Sequence, residues 1–455
     1  MFASGLDSAW GIVSSRSVSF SRVLAFSLVL LTGSLVGACS NSPATGSISS
    51  GLSVGADRSC AIAASAIVVD AGVPDTGVPD TGVPDTGVAD AGDAGDVDAG
   101  APDAGADGGA APAALLTSAG PVYCWGGDGT RAKRVQVSIN DAVQVSVGVP
   151  TCVLRARGSV ACWGDNSAGE VGDGTTTSRE NASAVSGLSD AVMVATSRFR
   201  EASAALLAPP AAGFACALRM SGAVSCWGAN DFGQLGNGNT TERHAPTLVN
   251  GLGPALSLAL GARHACALLQ GGAVSCWGAN DHGQLGNSSR TDSSRPVRVT
   301  GIADAIAVSV GQDHSCALLT SGQVTCWGRN DAAQLGIGAV GSDRNTPQSV
   351  AGLTGAVLLA AGANHSCAAT ADSVLCWGAD DHDQTGAAGA GLQTRASLAR
   401  QVGSVSELSA GAGHTCAVTA GSLRRPLCWG DNSVGQLGSG SLAPSTVPRS
   451  VRGLP

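Results

Sequence analysis

The sequence predicts an all-β fold, a seven-bladed β-propeller, and three observations lead to it. The triplet Cys-Trp-Gly recurs seven times, and its last five copies are separated by 50, 50, 50 and 52 residues. Glycine contributes 65 of the 455 residues while charged residues make up only 13%, so tight turns are favoured over long solvated helices. Each repeat also contains a short hairpin that is apolar on both faces, as expected for strands buried between neighbouring sheets. Radial stacking of seven such sheets gives a propeller.

The hairpin has one self-consistent antiparallel register. Cys216 lies opposite Cys226 when Leu218 lies opposite Val224, and all four side chains then share one face. Trp227 falls on the other face, beside small residues that leave room for the indole. We therefore expect a structural tryptophan in every repeat: Trp125, Trp163, Trp227, Trp277, Trp327, Trp377 and Trp429.

The complete repeat has a recognisable pattern. It contains Ala-Gly-x-x-His-x-Cys-Ala-Leu, then Gly-x-Val-x-Cys-Trp-Gly-x-Asn, then Gly-Gln-Leu-Gly. This pattern closely resembles the regulator-of-chromosome-condensation repeat, over residues 46–455 apart from one insert. The resemblance implies blades of four strands. It also implies possible functions: guanine-nucleotide exchange on a small GTPase, chromatin docking, or binding and inhibition of β-lactamase by secreted members. The wedge of the exchange factor has no match here, including in the Ala/Pro-rich residues 201–213.

The two ends of the chain predict how the ring closes. Residues 448–453 belong to a segment that in other repeats precedes a strand such as residues 305–311. A matching strand occurs at residues 49–55. We therefore expect the N- and C-terminal segments to share one blade.

Residues 1–38 predict a lipoprotein signal peptide. Arg16 and Arg22 precede an apolar run over residues 23–31, and residues 36–39, Val-Gly-Ala-Cys, resemble a bacterial lipobox. Cys39 would then be acylated and would anchor the protein to a membrane surface. The alternative is an ordinary signal peptide followed by a free cysteine. The prediction is an exported lipoprotein of the bacterial outer membrane or cell surface, with the propeller over residues 39–455.

An acidic insert interrupts the first repeat at residues 70–110. It contains ten aspartates and no basic residue, so it accounts for the net charge of −9 and leaves the propeller nearly neutral. Such a composition cannot bury enough apolar surface to fold, and we expect a disordered insert within blade 1. The absence of a basic face argues against nucleic acid as a partner.

Fourteen cysteines besides Cys39 form one pair per repeat. In the hairpin register the partners are directly opposite, at a separation that a disulfide spans, and export places them in an oxidising compartment. The alternative is that they are small buried hydrophobic residues. Zinc is disfavoured because the chain has no Cys-x-x-Cys and the pairs are spread around a ring. The predicted disulfides join Cys60 with Cys124, Cys152 with Cys162, Cys216 with Cys226, Cys266 with Cys276, Cys316 with Cys326, Cys367 with Cys376, and Cys416 with Cys428.

No residue is assigned a catalytic role, and no cofactor or metal site is predicted. Residues 51–55 match the Gly-x-Ser-x-Gly pattern of hydrolases, but this is the repeat's own strand. His282 and His382 fall in a variable turn where a binding surface could lie. One further repeat position holds histidine in four units and is interpreted as a structural hydrogen-bonding position: His264, His314, His365 and His414.

The expected function is that of a non-enzymatic, envelope-anchored, monomeric scaffold that binds an unidentified protein through its loops. One alternative is a secreted-enzyme inhibitor resembling the β-lactamase-binding propellers. Another is a glycan-binding surface module, although Phe232 is the single aromatic residue in the loop turns, which favours protein. Guanine-nucleotide exchange is a weaker alternative by family analogy, because that role is intracellular and the signal sequence indicates export.

Overall fold

The computed structural model describes residues 52–55, 58–62, 119–127, 129–135, 139–198, 212–387, 391–421 and 424–454. These residues form 28 strands in seven four-stranded antiparallel sheets. The seven-bladed all-β propeller with four-stranded blades is confirmed. The signal peptide predicted for residues 1–38, the acylation site at Cys39 and the insert at 70–110 lie outside the described residues.

Each blade uses four consecutive strands, and the first strands of neighbouring blades contact each other, so they lie nearest the axis. Blade 1 contains β1 (Ser53–Val54), β2 (Arg58–Ile62), β3 (Val122–Gly126) and β4 (Gly129–Val135); blade 2 contains β5 (Ala142–Ser146), β6 (Thr151–Arg155), β7 (Val160–Gly164) and β8 (Arg179–Ala184); blade 3 contains β9 (Ala191–Thr196), β10 (Phe214–Arg219), β11 (Val224–Gly228) and β12 (Arg243–Leu248); blade 4 contains β13 (Ala255–Leu260), β14 (His264–Leu269), β15 (Val274–Gly278) and β16 (Ser293–Arg298). Blade 5 contains β17 (Ala305–Val310), β18 (His314–Leu319), β19 (Val324–Asn330) and β20 (Gly341–Ser349); blade 6 contains β21 (Leu358–Ala361), β22 (His365–Ala369), β23 (Val374–Gly378) and β24 (Gln393–Leu398); blade 7 contains β25 (Val405–Ala410), β26 (His414–Thr419), β27 (Pro426–Gly430) and β28 (Ser445–Ser450).

The predicted hairpin register is confirmed. Cys216 pairs with Cys226 and Leu218 with Val224 in the ladder between β10 and β11. These side chains pack on blade 4, in one cluster with its Trp277, whereas Trp227 on the other face packs on the disulfide of blade 2. Each core layer therefore lies between two blades and combines the disulfide of one with the tryptophan of the next. The repeat tryptophans are buried in all seven blades: Trp125, Trp163, Trp227, Trp277, Trp327, Trp377 and Trp429.

The structure joins the same seven cysteine pairs that the repeat spacing predicts. Their Cα atoms are 4.0 to 4.1 Å apart, because the partners occupy directly opposed positions of the central two strands. A buried disulfide thus stands at the middle of every blade. From blade 1 to blade 7 the bonds join Cys60 with Cys124, Cys152 with Cys162, Cys216 with Cys226, Cys266 with Cys276, Cys316 with Cys326, Cys367 with Cys376, and Cys416 with Cys428.

The ring closes without a shared blade, so that part of the sequence prediction is wrong. β28 is the outermost strand of blade 7, and the strand that follows its equivalent in other repeats is the innermost strand of the next blade. Residues 53–54 therefore begin blade 1, and blade 7 is complete without them. The two terminal blades meet through a packed apolar cluster: Val54, Ala61 and Trp125 of blade 1 with Cys416, Cys428 and Leu437 of blade 7.

The connections divide between two faces of the propeller. The turns between first and second strands and the loops between third and fourth strands lie on one face, which we call the long-loop face. In blade 4 these are residues 261–263 and 279–292. The remaining connections, such as residues 270–273 and 299–304, lie on the opposite face. Blade 1 is the exception on the long-loop face, because only residues 127–128 join β3 to β4.

Candidate functional site

The long loops are held rigidly against the following blade. Trp277 Nε1 donates to the carbonyl oxygen of Gln234 in blade 3 at 2.8 Å. Gly236 of the same loop has φ of 65° and lies so close to the indole that an added Cβ would sit 2.9 Å from Trp277 Nε1. The equivalent tryptophans donate in the same way at three other seams: Trp227 to Glu170, Trp327 to Gln284 and Trp377 to Gln334.

The repeated histidines join one blade to the next. His264 Nε2 lies 2.9 Å from Ser315 Oγ, which donates to the carbonyl oxygen of Gln284 at 3.0 Å. Since the hydroxyl hydrogen is used there, His264 Nε2 is the donor to Ser315. The same contact recurs at 2.8 to 2.9 Å for His314 with Ser366, His365 with Thr415 and His414 with Ser59. The position is therefore structural, as the repeat indicated.

These four histidines are neutral. All are fully buried, and burial lowers the pKa of His264, His314 and His365 to about 3 and that of His414 to about 4. A neutral ring suits the geometry, because Nε2–H has one hydroxyl acceptor. Asp281, Asp381 and Asp431 act to raise the pKa of His264, His365 and His414, but burial outweighs them.

A charged network crosses the long-loop face between blades 4 and 5. Arg263 contacts Asp281 at 3.3 Å and Asp313 of the next blade at 3.4 Å. Asp313 is also 3.4 Å from Arg329, which contacts Asp331 at 2.6 Å. Asp313 is only 2% exposed, and these two guanidinium groups are its charged neighbours. Two blades thereby share one ionic arrangement.

The turn carboxylates of this network are also fixed from their own loops. Gln284 Nε2 donates to Asp281 Oδ1 at 3.0 Å. Burial acts to raise the pKa of Asp281, but this hydrogen bond and the charge of Arg263 outweigh it and hold the pKa below its usual value. The carboxylate is therefore ionised and pre-oriented at neutral pH.

His282 and Phe232, two residues that the sequence placed in the variable turns, belong to the same surface. His282 Nδ1 is 2.8 Å from Asp343 of blade 5, and the guanidinium carbon of Arg263 lies 4.7 Å from the centroid of the Phe232 ring. His382 is not part of this network. It lies two blades further on, is 52% exposed and contacts Asp381 at 3.5 Å.

Arg263, Asp313 and Arg329 were not identified from the sequence, although a signal was present. Arg263 and Asp313 occupy the same repeat position, directly before the structural histidine, and they carry opposite charges in neighbouring units. Opposite charges at equivalent positions of adjacent blades favour an inter-blade ion pair.

Backbone hydrogen bonds link the turns around the axis on the long-loop face of blades 4 to 7. Ala262 N donates to Gln312 O at 3.3 Å, Gln312 N to Ala363 O at 3.2 Å, and Ala363 N to Gly411 O at 3.0 Å. Ala262 and Ala363 pack together across the axis, although they belong to blades 4 and 6.

The Gly-x-Ser-x-Gly match also has a structural explanation. Ser53 lies in β1 and is 5% exposed, and its Oγ accepts a hydrogen bond from Val147 N of blade 2 at 3.0 Å. Among the described residues no three His, Cys, Asp or Glu side chains gather as a metal site. Within the same residues there is no helix of the length and apolarity needed to cross a membrane.

Comparison with known proteins identifies a repeat family in part of the chain. A family model of the "Regulator of chromosome condensation (RCC1) repeat" matches residues 221–268, 271–318 and 321–369, and a second model of that repeat matches 256–284 and 305–334. Residues 221–369 therefore carry RCC1 repeats. Comparison with curated protein sequences gives no significant match.

Solved RCC1-like structures share the propeller fold. Yeast RCC1 (Prp20) bound to Kap60 is 20% identical with a TM-score of 0.59, covering 71% of this chain and 78% of that one. Prp20p from Saccharomyces cerevisiae, described with its binding to Gsp1p and histones, is 20% identical with a TM-score of 0.59, covering 71% of this chain and 81% of that one. Human WBSCR16 is 20% identical with a TM-score of 0.61, covering 71% of this chain and 85% of that one. At this identity the likeness concerns the fold.

Proposed function

We propose that the protein is a non-enzymatic, exported binding module that presents its long-loop face to a protein partner, as a monomer anchored to the cell envelope through Cys39. The observation that carries the proposal is the inter-blade network of Arg263, Asp313 and Arg329 beside Phe232. Arginine and aromatic side chains are enriched where proteins bind one another. In a chain with only 13% charged residues, their concentration on one rigid face favours a docking surface there.

Two further observations support the proposal. The RCC1-like relatives named above are described with protein partners, Kap60 in one case and Gsp1p and histones in the other. The seven disulfides suit an oxidising compartment, which favours export and, with the lipobox, anchoring outside the cytoplasm.

The alternatives differ in the kind of partner. An inhibitor of a secreted enzyme would use the same face, with the enzyme as its ligand. A glycan-binding module is less well supported, because the Phe232 ring is already covered by Arg263. Guanine-nucleotide exchange stays the weakest candidate, since it depends on family analogy alone.

The test compares two matched double variants. Arg263→Ala with Arg329→Ala removes the cations of the long-loop face, whereas Arg155→Ala with Arg219→Ala removes two ion-paired arginines from the opposite face. Both are made in the chain from residue 39 with Cys39→Ser and used to capture partners from envelope extract. We expect one stoichiometric protein with the unsubstituted chain and the opposite-face variant, and at least tenfold less with the long-loop variant. Equal capture by both variants, or saccharide binding without a protein partner, would contradict the proposal.

A further inference from the structure

The long loops contain an asparagine whose side chain closes the loop. In blade 3, Asn230 Oδ1 accepts a hydrogen bond from Leu235 N at 2.9 Å, while Nδ2 donates to the carbonyl oxygens of Asn239 at 3.0 Å and Thr241 at 2.9 Å. The equivalent asparagines of blades 2, 4, 5 and 7 also point Nδ2 at loop carbonyls: Asn166, Asn280, Asn330 and Asn432. Each loop therefore has carbonyl oxygens directed at an N–H donor.

Blade 6 has an aspartate at this position. Asp380 Oδ1 accepts from Thr385 N at 2.9 Å, as the asparagine oxygen does in the other blades. Its Oδ2 consequently stands where the others have Nδ2. This oxygen accepts no hydrogen bond in the part of the chain described, and Asp380 is only 5% exposed. Burying a carboxylate oxygen that has no hydrogen-bond partner costs folding free energy unless a positive charge compensates it.

The same loop supplies an acceptor in front of Asp380. Its length equals that of blade 4, because Gly378 pairs with Gln393 as Gly278 pairs with Ser293. The carbonyl that receives the asparagine N–H in blade 4 belongs to Thr291, and its counterpart in blade 6 is Gly391. By this correspondence, two oxygens occupy the positions that a donor and an acceptor hold in blade 4.

Two neutral side chains of the loop act on Asp380. Burial raises the pKa of Asp380 above its ordinary value, although hydrogen bonding from Thr385, and more weakly from Gln393, acts to lower it. Gln393 Nε2 also donates to the carbonyl oxygen of Gly391 at 3.3 Å. These neutral groups therefore do not replace the water that the carboxylate has lost.

The surroundings of Asp380 are negative. Asp381 and Asp383 lie in the same turn, and the charge of Asp383 acts on Asp380 directly. Arginines pair with the Asp281 and Asp331 turns of blades 4 and 5, but in the described part of blade 6 the ion-pair partner of Asp381 is His382. The turn of blade 6 thus concentrates carboxylates without an arginine.

We propose that this turn binds a hard metal cation, of which Ca²⁺ is the best match, between Asp380 Oδ2 and the carbonyl oxygen of Gly391. Carboxylate and backbone carbonyl oxygens are the ligands that Ca²⁺ prefers, with water completing its six to eight positions. The cation takes the place of the asparagine N–H that closes the other loops. With one protein carboxylate in contact, the site belongs to the weak class of extracellular modules, with a Kd of about 1 mM.

The test uses Asp380→Asn, which restores the residue of the other blades and should fold. Denaturant unfolding of the full chain is measured in chelator and in 10 mM Ca²⁺, and Tb³⁺ emission sensitised by tryptophan reports occupancy. For a Kd of about 1 mM we expect Ca²⁺ to lower the unfolding equilibrium constant of the natural chain about tenfold. The Asp380→Asn chain should be the more stable of the two in chelator and should not respond to Ca²⁺.

Asp381→Asn is the matched control, because it removes an exposed charge of the same turn and should keep the Ca²⁺ response. The aspartates of the 70–110 insert are common to all three chains, so any binding there cancels in the comparison. Equal responses of the natural chain and Asp380→Asn would overturn the proposal. A natural chain insensitive to Ca²⁺ would overturn it as well. If its stability then falls less from pH 8 to pH 6 than that of Asp380→Asn, a proton fills the position; if both chains lose the same amount, the neutral side chains of the loop fill it.

Discussion

Acidification should destabilise the propeller through its four buried histidines. Their pKa values in the folded state are about 3 for His264, His314 and His365 and about 4 for His414, against an unfolded value of about 6.5. Between these values the unfolded chain binds more protons, so stability is fully present above pH 6.5 and is lost progressively as pH falls toward 3. At pH 5.5 the loss is about 1.4 kcal/mol per histidine, or about 6 kcal/mol for all four.

The assay is denaturant unfolding at several pH values between 5 and 7.5, with the disulfides intact. Its control comes from the chain itself, because blade 3 has Phe214 at the histidine position and blade 4 has Ala265 where the hydroxyl would be. The double change His264→Phe with Ser315→Ala copies that apolar pair. It should reduce the proton uptake on unfolding at pH 5.5 by about 0.9 proton. An unchanged pH slope would refute the assignment of His264 as a buried neutral donor.

Three further changes test the seams between blades. Trp277→Phe removes the N–H that reaches Gln234 and should lower the free energy of unfolding by about 1–3 kcal/mol, measured by denaturant titration at pH 7.5, with retained stability counting against the hydrogen bond. Gly236→Ala should lower the free energy of unfolding at least as much, because the positive φ and the 2.9 Å approach to the indole both oppose a Cβ. An unchanged melting temperature would show that the loop can move to accommodate the methyl group. Replacing Cys266 and Cys276 together by alanine should lower stability by about 2–3 kcal/mol in non-reducing buffer, and equal stability of the variant and the natural chain would mean that this disulfide contributes little.

The sequence predicted what is local within one repeat. Cys216 and Cys226 are joined by a short hairpin, so alternation and register suffice to pair them and to place Trp227 on the other face. The phase of the repeat was harder to infer, because a periodic sequence has the same pattern wherever each unit is taken to begin. The RCC1 match to residues 221–268 itself starts in blade 3 and ends in blade 4. The shared blade was predicted by taking that sequence unit for a structural one.

The candidate site lay beyond such reasoning for a different reason. Arg263 and Asp313 are 50 residues apart and meet only because equivalent turns of adjacent blades are neighbours around the axis. Once the ring is known, every repeat position becomes a set of possible contacts between consecutive copies. The structural histidines follow this rule, since each one faces a serine or threonine in the next blade, whereas Phe214 is followed there by Ala265.

Two kinds of inter-blade hydrogen bond explain why no shared blade is needed. The tryptophan bond occurs at the seams between blades 2–3, 3–4, 4–5 and 5–6, and the histidine bond at 4–5, 5–6, 6–7 and 7–1. At the closing seam, Trp125 Nε1 is buried without a hydrogen-bond partner among the described residues, but His414 still reaches Ser59. Between blades 1 and 2 neither bond is found in the described residues, because blade 1 has no long loop and Arg58 replaces the histidine. At this seam the chain itself runs from β4 to β5, so blades 1 and 2 are joined covalently. Blades 7 and 1 have no such connection, but they keep the same histidine hydrogen bond as the interior of the ring.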